Sequence, residues 1–396
     1  MKSKNIKIKH RKYSLYTRKK SKGRQALAVI LTIVIAAALC VVGFGLGRPL
    51  MEYFNGGKTP SDSSSGWTPP VEATAETVIP ETETAASTAE SVESSEVQET
   101  TTEVVYTIPA GALRSAETLK TAAAKAKADG YTTVIVTMKN SVGNYLYVTE
   151  RSLFRYGDII SGTLSAKEIC DIITAEGLVP CARISTLKDK LSGNYIEGIK
   201  YYNYDGSGWL DAAYANGGKA WLDPFSEKTS EYVASVVTEL ATAGFKNIIL
   251  ADTMYPVFRN VDLNTYLANQ PHLEDSAARL DALWDVVNAC DEAAQSGGAK
   301  ITLELTAEDL DAAERTATTG EIAADKSRLK EVELLIDYTP VSGSEYASAK
   351  SFAGKLSSAY SGQSYSVLVS KNALSENAYQ QLLKAFGESG VRVFSE

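Results

Sequence analysis

The sequence predicts a (β/α)8 TIM-type barrel after an N-terminal transmembrane helix and a disordered linker, and three observations carry that expectation. From residue 104 onward, short β-branched runs alternate eight times with longer amphipathic segments. An uncharged stretch follows a wholly basic N-terminus. Between these regions lies a segment too polar to build a core.

Residues 1–24 hold eleven Lys or Arg and no Asp or Glu, and residues 25–47 carry no charge. At about 1.5 Å rise per residue, such a helix spans roughly 34 Å, enough for a hydrocarbon core of about 30 Å. Basic residues stay on the cytoplasmic side, so 1–24 reads as a cytoplasmic tail and everything after Arg48 as extracytoplasmic. A cleaved signal peptide would have an apolar core of only about 7 to 15 residues. A lipoprotein signal at Cys40 would want a small residue where bulky Leu39 stands. An uncleaved single-pass anchor in the cell membrane fits better than either.

A basic run can also bind nucleic acid, but the remainder of the chain keeps 29 basic against 48 acidic residues, a net of −19. Such a body repels nucleic acid, so the tail reads as the positive-inside signal beside an anionic leaflet. Residues 48–103 form the linker. From Asn55 they are mostly Ser, Thr, Glu, Ala and Pro, which cannot bury enough apolar surface to offset chain ordering. Of the four cysteines, Cys170, Cys181 and Cys290 lie beyond the span at irregular spacing, which implies neither a disulfide framework nor a metal site.

In residues 104–396 the eight strand-like runs are 104–108, 133–138, 179–184, 247–252, 300–305, 333–338, 365–369 and 391–394. Helices are expected over 116–129, 165–176, 226–243, 275–295, 342–360 and 375–387, with a helical pair between 307 and 330. Gly130, Gly177 and Gly244 stand where C-terminal caps belong. Eight such units in about 290 residues suit a barrel, which typically takes about 250 plus insertions. An open doubly wound sheet is the alternative.

Barrel chemistry sits at the C-terminal ends of strands. Lys139 follows strand two, Arg183, Lys188 and Asp189 lie at and after strand three, and Asp252 ends strand four. Glu304 is in strand five, and Asp337 and Tyr338 end strand six. The insertion 191–225 opens on the same face with seven Tyr and Trp residues, including Trp209 and Trp221. These aromatics serve equally to stack on sugar rings or to pack the loop.

His272 is the single histidine beyond the tail, which disfavours a Ser-His-Asp triad. No Gly-rich phosphate loop and no His/Cys cluster stands out, so no cofactor or metal is implied. Carboxylates remain, and glycoside hydrolysis needs two, about 5 to 5.5 Å or about 6.5 to 9.5 Å apart. Asp252 and Glu304 end adjacent strands and are the candidate catalytic pair. The alternative is a polar plug in which these acids pair with Arg183 or Lys188. Lys139, Arg183, Lys188, Asp189, Trp209, Trp221, Asp337 and Tyr338 are the candidate ligand contacts.

Several stretches carry a family resemblance. They are Val136-Thr-Met-Lys-Asn140, Ala182-Arg-Ile-Ser-Thr-Leu-Lys-Asp189, Ala220-Trp-Leu-Asp-Pro-Phe225 through Gly244-Phe-Lys-Asn-Ile-Ile-Leu-Ala-Asp-Thr-Met-Tyr-Pro256, and Leu335-Ile-Asp-Tyr-Thr-Pro340. In this order they resemble a family of bacterial envelope proteins named for a putative glycoside hydrolase domain, whose members look like barrels related to α-amylase-like hydrolases. The similarity covers most of 104–346 and fades after it. It implies that Arg183, Lys188, Asp189, Trp221, Asp223, Pro224, Tyr338 and Pro340 occupy family positions and that Glu304 falls at a strand-five acid.

The departures are specific. After strand four the family reads Phe-Asp-Tyr-x-Arg-Phe-Pro; without a gap, its Asp falls on Ala251, its Arg on Met254 and its Tyr on Asp252. In strand two, Ile-Asp-Val-Lys-Asp becomes Val136-Thr-Met-Lys-Asn140, keeping Lys139 and losing both acids. The expectation is a hydrolase-like barrel that acts on, or only binds, envelope polysaccharide. A protein-binding envelope scaffold is the third alternative.

Overall fold

The computed structural model describes residues 104–151, 159–259, 262, 271–310, 321–371 and 374–395. The expected tail, transmembrane helix and linker, residues 1–103, lie outside the described residues. Among the described residues no helix is long and apolar enough to cross a membrane.

Eight parallel strands close into a barrel in sequence order. They are β1 (Val104–Ile108), β2 (Thr133–Lys139), β3 (Val179–Ser185), β4 (Asn247–Ala251), β5 (Lys300–Thr306), β6 (Glu333–Asp337), β7 (Tyr365–Val369) and β8 (Arg392–Ser395). Val104 of β1 pairs with Val393 of β8 and shuts the ring. The open-sheet alternative is therefore excluded. Each strand lies within two residues of its expected bounds. β4 stops at Ala251 because Asp252 turns into the left-handed region, φ 56°.

The helices between strands are α1 (Ala116–Ala128), α2 (Ala166–Ala175), α3 (Glu227–Ala243), α4 (Ser276–Ser296), α5 (Ala307–Leu310), α6 (Lys326–Leu329), α7 (Glu345–Ala359) and α8 (Glu376–Gly387). Ser115 and Ser165 start α1 and α2 with capping boxes, closed reciprocally by Thr118 and Glu168. Gly244 ends α3 at φ 112°, a conformation that a side chain would strain. The expected helical pair between β5 and β6 is two single turns, α5 and α6, so this crossover lacks a full-length helix among its described residues.

Two apolar layers follow from strand alternation. Outward residues such as Val134, Val136, Ile248, Leu250 and Leu303 pack beneath helix residues such as Leu119, Ile169, Val236 and Leu283. Inward residues Val105, Ile135, Cys181, Ile249, Leu335, Leu368 and Phe394 form a separate lumenal core. The polar lumenal residues are thereby divided between the barrel's two ends. At the N-terminal end Glu333 pairs with Lys300 and with Arg392. At the C-terminal end stand Arg183, Glu304 and Asp337.

Candidate functional site

Arg183 and Glu304 meet inside the barrel. Each lies two residues beyond the lumenal core position of its strand, Cys181 in β3 and Thr302 in β5. β4 runs between these strands, so the pair spans the lumen in front of it. Arg183 Nε donates to Glu304 Oε2 at 2.6 Å and Nη2 donates to Oε1 at 2.5 Å. This bidentate, charge-assisted geometry is the strong form of such a pair. The expected polar plug is thus present for Glu304.

The strand crossed by this pair carries Ala251. Leu250 pairs with Leu303, which puts Ala251 level with Glu304 on the lumenal side. A methyl group there leaves the width that the guanidinium occupies.

Asp252 comes next, and simple alternation would turn it out of the barrel. Its left-handed backbone bends it back, and Ser185 Oγ lies 2.6 Å from its Oδ2. Asp and Asn tolerate this region better than other side chains. Ser185 is on the same face of β3 as Arg183, two residues further on. The two carboxylates are therefore anchored on one strand face at points about 7 Å apart, at roughly 3.3 Å rise per residue.

Lys139 and Asp189, expected as ligand contacts, are instead shut inside a buried network. The β2 register shifts between Thr137 and Lys139, so that Thr137 pairs with Arg183 while Lys139 pairs with outward-facing Ile184. Such a bulge re-aims a side chain. Lys139 is 2% exposed, with Nζ 2.8 Å from Asp189 Oδ2 and donating to the Ser185 carbonyl at 2.6 Å. Asp189 also accepts from the amides of Leu191 and Ser192 and from the Tyr232 hydroxyl at 3.0 Å. Burial pushes the Tyr232 and Tyr145 hydroxyls well above the usual phenol range, which keeps them protonated donors in this chain.

The tryptophans also differ from a sugar-stacking expectation. Trp209 is 2% exposed and sits edge-on to Tyr201 and tilted against Phe258. Trp221 is 6% exposed, donates its indole N–H to Asp211 at 3.0 Å, and has Lys188 Nζ 5.5 Å over its ring. Both form the core of the insertion. Tyr338 is likewise buried, stacked on Phe352 and edge-on to Phe386. Its neighbour Asp337 is exposed and borders a cavity of about 500 Å³ with Thr306, Thr339, Phe352 and Tyr360.

The structure thus gathers Arg183, Ser185, Asp252 and Glu304 at the mouth and places Lys139, Asp189, Trp209, Trp221 and Tyr338 in packed layers. Ser185 was missed by residue-type reasoning, although alternation from Cys181 through Arg183 points to it. Tyr232 has no such local signal, since it arrives from α3.

Residues 105–325 match the family described as "Putative glycosyl hydrolase domain", just over half of the chain. The chain belongs to that family. No curated protein matches it in sequence. Among solved structures, the barrel of this glycosyl hydrolase family member is similar to the glycoside hydrolase domain of PgaB (BpsB) from Bordetella bronchiseptica. That likeness has a TM-score of 0.51 and 12% identity, over 74% of this chain and 93% of that one. The catalytic domain of β-amylase from Paenibacillus polymyxa gives 0.47 and 10%, over 74% and 92%. A hypothetical protein from Ruminiclostridium thermocellum gives 0.40 and 15%, over 50% and 96%. At these identities the likeness is one of fold.

Proposed function

We propose that this protein binds envelope polysaccharide at the mouth of its barrel without hydrolysing it, and does so outside the cell membrane from an N-terminal anchor. The carrying observation is the Arg183–Glu304 pair, in which both carboxylate oxygens accept guanidinium N–H groups. A general acid must protonate the glycosidic oxygen while a second carboxylate acts on the sugar. Here the lumenal glutamate is engaged, and the family's strand-four acid, read without a gap, falls on Ala251. The polar groups at this end, Arg183, Asp252 and Asp337, suit the hydroxyls of a sugar. Membership of a glycosyl hydrolase family supports a glycan as ligand. The uncharged residues 25–47 behind eleven basic ones support the anchor, and the acidic linker supports a spacer.

The test uses the full-length protein in detergent micelles with laminarin, soluble starch, chitin oligosaccharides and purified peptidoglycan. Saturable binding to at least one of them is expected. No binding to any of them contradicts the reading.

Hydrolysis is the second reading, and one observation favours it: Asp252 and Glu304 follow and occupy the adjacent strands β4 and β5, and both are tied to side chains on the lumenal face of β3. It predicts reducing ends released by the wild type and not by Glu304→Gln.

A further inference from the structure

Among the described residues, the large exposed aromatic side chains are concentrated in one insertion. Tyr195 (39%), Tyr204 (68%) and Tyr214 (83%) all lie in the insertion between β3 and α3. The other large exposed hydrophobic residues among the described ones are the valines Val148, Val179, Val257 and Val341.

Tyr204 and Tyr214 stand on two consecutive tight loops. The first is closed by Asn203 N–H donating to the Ser207 carbonyl at 2.7 Å and by Trp209 N–H donating to the Tyr201 carbonyl at 2.9 Å. The second is closed by Asp211 N–H donating to the Lys219 carbonyl at 3.0 Å and by Lys219 N–H donating to Asp211 Oδ1 at 2.7 Å. Leu210 alone separates the loop bases. Beneath them Trp209 and Tyr201 pack on Phe258 of the segment that follows β4. The base of the first loop is therefore seated on the segment that continues from β4 beyond Asp252. With Trp209, Tyr201 and Trp221 already supplying the core, packing does not account for two further tyrosines held in water at the tips.

We infer that Tyr204 and Tyr214 form an aromatic platform that stacks on the pyranose rings of an uncharged polysaccharide chain leading to the barrel mouth. The inference rests on the glycan-binding reading. A protein partner needs a clustered apolar centre with a polar rim. These tyrosines stand instead among Asn203, Asp205, Gly206, Ser207, Asn216 and Gly217, which offer hydrogen bonds to hydroxyls around each ring. The hydroxyl and amide of Ser207 hold the Asp205 carboxyl below its usual range, so a negative charge stays beside Tyr204 and disfavours anionic polymers.

Affinity electrophoresis of the full-length protein in gels containing laminarin, soluble starch or hydroxyethylcellulose tests this. Each of Tyr204→Ala and Tyr214→Ala should weaken binding about fivefold, and the double variant by tenfold or more, the range of an aromatic contact. The double Tyr→Phe variant, which keeps the rings, should bind as the wild type does. Unchanged affinity in the Ala double variant overturns the platform and leaves glycan binding at the mouth standing. A Phe double variant as weak as the Ala one overturns stacking. A wild type that binds none of the three polymers overturns the platform, while binding to chitin oligosaccharides or peptidoglycan would still uphold the glycan-binding reading.

Discussion

Arg183 reaches across the lumen in front of β4 to hold both carboxylate oxygens of Glu304, at 2.6 and 2.5 Å. The contact depends on what β4 does not carry. Ala251 faces the lumen level with Glu304, where a larger side chain is expected to crowd the guanidinium.

Ala251→Leu should therefore push Arg183 off Glu304 and destabilise the barrel by about 1 to 3 kcal/mol, the usual cost of overpacking. Urea denaturation checks this. An unchanged midpoint would show that the lumen has room to spare.

Lys139→Met would leave the Asp189 carboxylate buried without its cation, a loss of about 3 to 5 kcal/mol. Because Lys139 is turned away from the mouth, affinity for polysaccharide in the folded fraction should stay as in the wild type. Normal stability with lost affinity would return Lys139 to the binding site.

Gly143→Ala should cost more than about 2 kcal/mol, measured in the same denaturation experiment. Gly143 has φ 102°, and an added Cβ would overlap Asp189 Oδ1. A variant as stable as the wild type would mean that Asp189 is not fixed by its partners.

Asp325 caps α6, and the Ser327 hydroxyl and the Arg328 guanidinium hold its carboxyl down at about 2. Its folded value lies below its unfolded one, so its contribution is complete above about pH 4 and is lost as pH falls from 4 toward 2. Asp325→Asn should be less stable than the wild type at pH 6, with the gap narrowing through that window. A gap that stays constant with pH would contradict the assignment.

The barrel was legible because its signal is periodic: each strand is a β-branched run, and lumen and helix layers follow from alternation. Glu304 was assigned to the lumen by that rule, and there it lies. The rule failed where the backbone leaves regular geometry. The bulge at Thr137/Lys139 turned Lys139 out of the lumen, and the left-handed turn at Asp252 brought a carboxylate back. Neither irregularity has a sequence mark as clear as a glycine. The tryptophans were left between stacking on sugar and packing the loop for another reason. Residue type does not distinguish a core ring from a platform ring, and the insertion buries Trp209 and Trp221 while exposing Tyr204 and Tyr214.

The most direct test of the central claim is a reducing-end assay on the full-length protein with a polysaccharide it binds, run beside Glu304→Gln. No release above the blank is expected from either protein, with binding retained in the wild type. Release by the wild type that disappears in Glu304→Gln would contradict it.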